Sequence, residues 1–175
     1  WKAVKGSQFF FFFDLYNENG FVKKEKALNL ISDLNNDKIL TVSDVKVQQK
    51  TEYAPYLFNL ADLQAYCSKH FKISPADTLK IAQTLYEGKY TTYPRTDARF
   101  LSSAVASELK SKGYNVPNRY VDDSKITDHY AIIPTFHGNA DSLSGLNKSV
   151  YEAIMKRFTD TLLPPYIYDA VVVTY

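Results

Sequence analysis

The sequence has a single cysteine, Cys67, among its 175 residues. That excludes an internal disulfide and a zinc site built on paired cysteines, and it fits a reducing compartment. The plainest use of Cys67 is as a small buried apolar residue. Long hydrophobic runs are also missing. The longest, Phe9 to Phe13, falls far short of the roughly 20 apolar residues that cross a bilayer. No secretory pattern opens the chain, so a soluble, cytoplasmic protein with no membrane partner is expected. Charge of one sign is scarce as well: the formal net charge is +2, too weak to announce nucleic-acid binding by itself. There is no internal repeat, and no low-complexity tract beyond the phenylalanines.

What is abundant is aromatic. Fourteen Tyr and 11 Phe lift the aromatic share to 15%, within an ordinary globular balance of 45% hydrophobic and 23% charged residues. Such rings serve as stacking platforms for unpaired bases, and they are equally common strand and core residues. The length suits one domain or two small lobes. The chain begins at Trp1 without a methionine and stops inside the β-rich run Ala170 to Tyr175, which reads as a piece of a longer polypeptide.

The order of elements is β-rich, then helical, then β again. Trp1 to Leu15 reads as a strand buried on both faces, Asn17 to Gly20 as a turn, and Lys24 to Leu34 as an amphipathic helix on Ala27, Leu28, Ile31 and Leu34. Alternation resumes from Ile39 to Gln48, with a phase shift at Ser43-Asp44 that suits a bulge. After Pro55, helical spacing predicts Leu60 to Phe71, Ala76 to Tyr86, Ser103 to Lys112 and Lys148 to Leu162. Ser74-Pro75 opens the second of these, Gly88 and Gly113 stand where helices stop, and Asn147 can cap the last, with Leu146 and Tyr151 as a staple. Pro164-Pro165 ends it. The expected fold is α+β: a β-rich part over 1–54, a helical domain over 55–164 inserted into it, and a return strand over 165–175.

Two stretches carry chemistry. In Tyr90-Thr91-Thr92-Tyr93-Pro94-Arg95-Thr96-Asp97-Ala98-Arg99, Pro94 keeps Tyr93 on extended or turning backbone. Arg95 offers a guanidinium fork suited to a phosphate and to charge building on a phosphoryl transition state. Thr96 can donate to a phosphate, and Asp97 can orient Arg95. A tyrosine needs such help, because with an ordinary pKa of about 10 only on the order of one in a thousand is phenolate at neutral pH. Without further context the same residues suit a packed tyrosine beside a surface ion pair. In Ile126-Thr127-Asp128-His129-Tyr130-Ala131-Ile132-Ile133-Pro134-Thr135, His129 can donate to a phosphate or a leaving group, or be a satisfied structural histidine. His70 and His137 have less context.

Taken together these stretches resemble the motifs of type IA DNA topoisomerases, the topoisomerase III branch in particular. Pro55 to Gln64 resembles the start of the family's helical domain, and Thr78 to Glu87 is similar to the helix before its catalytic tyrosine. Tyr93-Pro94-Arg95-Thr96-Asp97 resembles the active-site signature, and Asp128 to Thr135 the downstream histidine motif. The resemblance implies that Tyr93 attacks single-stranded DNA, forming a transient 5′-phosphotyrosyl link and a free 3′-hydroxyl, with strand passage and religation and no ATP. It implies catalytic roles for Tyr93, Arg95 and His129, and supporting roles for Thr96, Asp97 and Glu87. It places Gln83, Arg99 and Lys72 near the DNA.

Three positions depart from the family pattern: Ala98 replaces the usual serine, Lys72 a common glycine, and Tyr130 a frequent second histidine. A larger departure concerns the metal. The family's magnesium rests on a glutamate and an Asp-x-Asp pair, and no Asp-x-Asp occurs in this sequence. By this resemblance the chain holds no cofactor itself, Mg2+ belongs to the full-length enzyme, and the chief partner besides DNA is an N-terminal metal-binding domain of the same polypeptide. Two rivals stand beside it. A tyrosine recombinase would need His-x-x-Arg before its tyrosine, whereas the histidine here comes after. A non-catalytic single-strand-binding module would use Tyr90, Tyr93 and Phe100 as stacking platforms.

Overall fold

A computed structural model describes Lys24, Glu25, Leu28, Asn29 and Ser32, then residues 42–137 and 139–174. The expected strand over Trp1 to Leu15 and the turn after it lie outside the described residues. Of the expected helix Lys24 to Leu34, the five described residues are helical.

The chain divides into two compact units, Trp1–Gln48 with Val171–Tyr175, and Gln49–Ala170. Over residues 42–137 and 139–174 it is mixed α+β: a two-stranded antiparallel sheet, β1 (Asp44–Glu52) with β2 (Tyr166–Thr174), and four α-helices, α1 (Leu60–Phe71), α2 (Pro75–Glu87), α3 (Ser103–Ser111) and α4 (Gly145–Thr161). No helix among the described residues is long and apolar enough to cross a membrane.

Local chemistry sets the helix boundaries. The Asn59 side chain accepts the Asp62 amide at 2.8 Å and caps α1. Lys72 ends α1 in the left-handed region at φ 58°, the conformation glycine adopts most cheaply, which accounts for the glycine common at this place in the family pattern. Ser74 Oγ accepts the Asp77 amide at 3.1 Å to open α2 at Pro75, and Ser102 caps α3 through the Val105 amide at 3.2 Å.

Two expectations change. The last helix begins at Gly145, before Asn147, and Ser144 at its cap makes no side-chain bond. Gly145 enters at φ 56°, so the backbone turns into the helix without the side-chain cap that sequence spacing assigned to Asn147. The alternating strand runs later than Ile39 to Gln48, to Glu52, because pairing with β2 extends it. Val45 and Val47 are 52% and 62% exposed, since a two-stranded ribbon has no second layer among the described residues to cover either face.

Within the unit Gln49–Ala170 the core forms two clusters. One gathers Leu63 and Cys67 of α1, Ala82 and Leu85 of α2, and Val150, Tyr151 and Ile154 of α4 around Phe58 and Ile132. The other joins Leu57, Leu101, Leu109, Val116, Tyr120 and Phe158 to Ala131 and Ile133. The extended segment Ala131 to Pro134 is buried throughout. It sends Ile132 into one cluster and Ala131 and Ile133 into the other, the period-two alternation of extended backbone. Each fully buried Ile or Leu stabilises by about 1.5–3 kcal/mol, so this segment is a firm base for the residues at its ends.

Candidate active site

The loop after α2 is clamped onto this segment. The Thr92 amide donates to the Ile133 carbonyl at 3.0 Å, and the Thr135 amide to the Tyr90 carbonyl at 3.0 Å. Thr92 Oγ1 donates to the Ala131 carbonyl and accepts from the Ile133 amide, both at 3.0 Å. One hydroxyl thus supplies the donor and acceptor that two buried backbone groups need. Lys89 takes φ 63°, and its carbonyl accepts from Thr135 Oγ1. Gly88 is required here: a Cβ on it would meet the Tyr90 ring at 2.8 Å.

Pro94 is buried and Tyr93 is half-buried on the wall of a cavity of about 370 Å³. The cavity is lined by Tyr86, Lys89, Thr91, Tyr93, His129 and Tyr130, with Thr92, Thr135 and His137 completing it. The His129 ring lies 4.3 Å from the Tyr93 ring, centroid to centroid, with planes 44° apart. On its other side Tyr93 meets Tyr86 of α2 edge to face at 5.3 Å.

Thr96 holds this arrangement from below. It is buried, 6% exposed, and its Oγ1 donates to the His129 carbonyl at 2.8 Å while accepting the Ala98 amide at 3.1 Å. Ala98 is itself buried, so alanine sits there without a polar group to satisfy. The Thr96 carbonyl accepts the Leu60 amide at 3.0 Å, and Asn59 Nδ2 donates to the Asp97 carbonyl at 3.2 Å. The cap of α1 and the Tyr93 loop therefore share one hydrogen-bond network. Thr91 Oγ1 is the one buried side-chain polar atom without a partner among the described residues, and Thr91 lines the cavity.

The remaining residues singled out in the sequence are scattered around this centre. Arg95 and Asp97 are exposed and form no ion pair with each other among the described residues, so Asp97 does not orient Arg95 as the sequence suggested; its carbonyl is used instead. Gln83 and Glu87 lie one turn apart on α2, joined from Gln83 Nε2 to Glu87 Oε1 at 2.9 Å. Arg99 is held by Asp62, Nε to Oδ2 at 2.5 Å and Nη2 to Oδ1 at 2.8 Å, and this pair holds the guanidinium's charge firmly. Lys72 is exposed at the opposite end of α1 from the Asn59 contact.

Sequence reasoning missed Lys89, Thr91 and His137 as neighbours of Tyr93. It also treated Tyr130 only as a substitution. Burial pushes the Tyr130 hydroxyl pKa up, aided by the Glu108 carboxylate and partly offset by Lys112. Among the described residues, no three His, Cys, Asp or Glu side chains gather as a metal-ligand set.

A family model described as DNA topoisomerase matches residues 3–175. A DNA topoisomerase 3 of Bacillus subtilis (strain 168) is 37% identical over 153 residues, covering 75% of this chain and 21% of that protein. A DNA topoisomerase 3 of Staphylococcus aureus (strain USA300) is 32% identical over 195 aligned positions, covering 98% of this chain and 26% of that protein. The structure of full-length topoisomerase I from Thermotoga maritima superposes with a TM-score of 0.67 at 25% identity, over 88% of this chain and 27% of that one. The chain thus spans about a quarter of the length of the curated relatives it matches. It belongs to the DNA topoisomerase family, as a type IA, topoisomerase III-like sequence.

Proposed function

We propose that this chain is the tyrosine-bearing part of an ATP-independent type IA topoisomerase, and that Tyr93 is its nucleophile. The observation that carries this reading is the placement of Tyr93: half-buried, its ring against His129 at 4.3 Å, beside a cavity and directly before Pro94-Arg95-Thr96-Asp97.

In the reaction, the Tyr93 oxygen attacks the phosphorus of a single-stranded DNA phosphodiester and its proton departs. A 5′-phosphotyrosyl bond forms as the bond to the 3′-oxygen breaks, and that oxygen leaves as a hydroxyl after taking a proton. Religation is the reverse, so the bond energy is conserved and no ATP enters. Arg95, exposed and without an ion-pair partner among the described residues, is free to meet the scissile phosphate. His129 donates to a phosphate oxygen or to the leaving oxygen, and Thr96 fixes its backbone. Asp97 and Glu87 support the surroundings, and Gln83, Arg99 and Lys72 serve the DNA backbone near the site.

Magnesium has no ligand set among the described residues. It would be held by an N-terminal acidic domain of the same polypeptide, and without that domain the chain is expected to be incompetent in cleavage. Residues 55–164 form the helical body that carries Tyr93, set into a β-rich part over 1–54 and 165–175 that lets it lift while a strand passes. The setting is the cytoplasm.

The polarity of the covalent link tests this reading. The chain is mixed with the part of the Bacillus subtilis relative that lies outside the matched region, magnesium, and single-stranded DNA labelled at one end or the other. A denaturant-resistant adduct that keeps the 3′-end label and loses the 5′-end label is expected. Retention of the 5′-end label would contradict the mechanism, and DNA binding without any adduct would favour the non-catalytic single-strand-binding module.

A further inference from the structure

A second groove, of about 590 Å³, opens on the same unit and shares no lining residue with the Tyr93 cavity. It is lined by Pro55, Tyr56, Asp62, Ala65, Tyr66 and Lys69, with His70, Arg99 and Arg157. We propose that this groove is a second contact for the single-stranded DNA that reaches Tyr93, taking an unstacked base on His70 and its phosphate on Lys69 and Arg157. The proposal rests on the reading of the chain as a DNA-cleaving protein and adds a place where the strand is gripped away from the reacting bond.

Three observations carry it. The first is a stack: the Tyr66 and His70 rings lie 4.2 Å apart and only 27° from parallel, and Tyr66 is braced edge-on by Phe58 and Phe71 at 5.4 and 5.9 Å. His70, the outer ring, is exposed. A base added to it would lengthen a stack whose inner member is already fixed, the arrangement by which proteins hold single strands without reading sequence.

The second is charge that the protein leaves uncancelled. Asp62 is occupied by both Arg99 contacts, and Asp160 holds Lys156 through both its oxygens at 2.9 and 2.8 Å. Arg157 is half-buried, lies 4.0 Å over the Phe58 ring and donates Nη1 to the Tyr56 carbonyl at 2.9 Å, yet it has no ion-pair partner among the described residues. Burial pulls its pKa down, partly offset by the more distant charges of Asp62, Tyr66 and Asp160. Lys69, exposed on the same groove, is likewise in no ion pair among the described residues. Two cations in no ion pair among the described residues, beside a ring stack, match a nucleotide, whose base and phosphate need both.

The third is proximity along the chain. Tyr93 lines one cavity and Arg99 the other, with only Pro94 to Ala98 between them. That length of chain keeps the two Cα atoms within about 20 Å of each other.

Photocrosslinking tests the proposal on the whole 175-residue chain. An oligothymidylate of about 12 nucleotides, substituted with 5-iodouracil, is irradiated with the Tyr93→Phe protein and the adducts are mapped by peptide mass spectrometry. Adducts on His70 or Tyr66 are expected, beside those at the Tyr93 cavity. In parallel, Lys69→Glu, an exposed change, is expected to weaken oligothymidylate binding about tenfold and to lower the salt slope by about one contact. Adducts confined to the Tyr93 cavity, with Lys69→Glu binding as the parent does, overturn the second contact and leave the proposed function standing. No adduct at either place, with no binding at low salt, overturns both.

Discussion

Thr96 Oγ1 donates to the backbone carbonyl of His129 at 2.8 Å, so the loop that presents Tyr93 also sets the height of the histidine packed against it. The tie is between side chain and main chain, and it is buried. Removing it therefore disturbs the position of His129 without touching the His129 ring.

Thr96→Val is expected to cost about 1–3 kcal/mol of stability, because the His129 carbonyl and the Ala98 amide both lose a buried partner. Chemical denaturation measures this directly. Adduct yield at a temperature where the variant is fully folded is expected to fall as well. An unchanged yield would show that His129 does not depend on this bond.

His129→Ala removes an exposed ring and is expected to shift stability by less than about 0.5 kcal/mol. The rate of adduct formation is expected to fall by about a hundredfold, the low end of what a positioned proton donor supplies. Single-turnover kinetics beside a denaturation curve separate the two effects.

Lys89→Gly is expected to move folding and activity in opposite directions. At φ 63° a side chain costs about 1–2 kcal/mol that glycine avoids, so the variant folds as well as the parent or better. It also removes the cation that lines the Tyr93 cavity, and weaker capture of DNA is expected. Parallel thermal melts and adduct titrations check both halves.

Alkaline pH is expected to destabilise the protein from about pH 9 upward. Burial raises the Cys67 thiol pKa from 9.0 to about 11, an effect partly offset by Thr78, and burial also raises those of Tyr120 and Tyr151. With folded values above the unfolded ones, the unfolded chain releases protons first as pH rises. The stability present below pH 9 is then lost as pH climbs through about 11. For Cys67 alone the loss is on the order of 2–3 kcal/mol. Denaturant midpoints at pH 8 and above pH 10 would show it, and Cys67→Ala would reduce the difference.

The helices were legible where capping chemistry is local. Ser74 announces α2 in the sequence, and the chain obeys it; Asn59 and Ser102 cap α1 and α3 by the same chemistry, although the sequence reading did not single them out. The start of α4 was misplaced because Gly145 bends into the helix at positive φ without a side-chain cap, a decision made by packing. In the site, the Tyr93 and His129 motifs were visible as residue types. Their meeting was not, because it depends on the clamp of Thr92 onto Ala131 and Ile133, a long-range pairing with no periodicity to betray it. Lys89 was missed for a related reason: nothing in a lysine signals a left-handed backbone. Asp97 was credited with orienting Arg95, whereas its carbonyl serves Asn59, a backbone role that residue type does not reveal.

The most direct measurement is the residue that carries the DNA. Wild-type chain and Tyr93→Phe are each combined with the part of the Bacillus subtilis relative that lies outside the matched region, magnesium and single-stranded DNA, then denatured, digested and mapped by mass spectrometry. The account predicts a nucleotide-bearing peptide with its link on Tyr93 in the wild type, and none in Tyr93→Phe. An adduct of equal yield in Tyr93→Phe, or one mapped to another residue in the wild type, would contradict it.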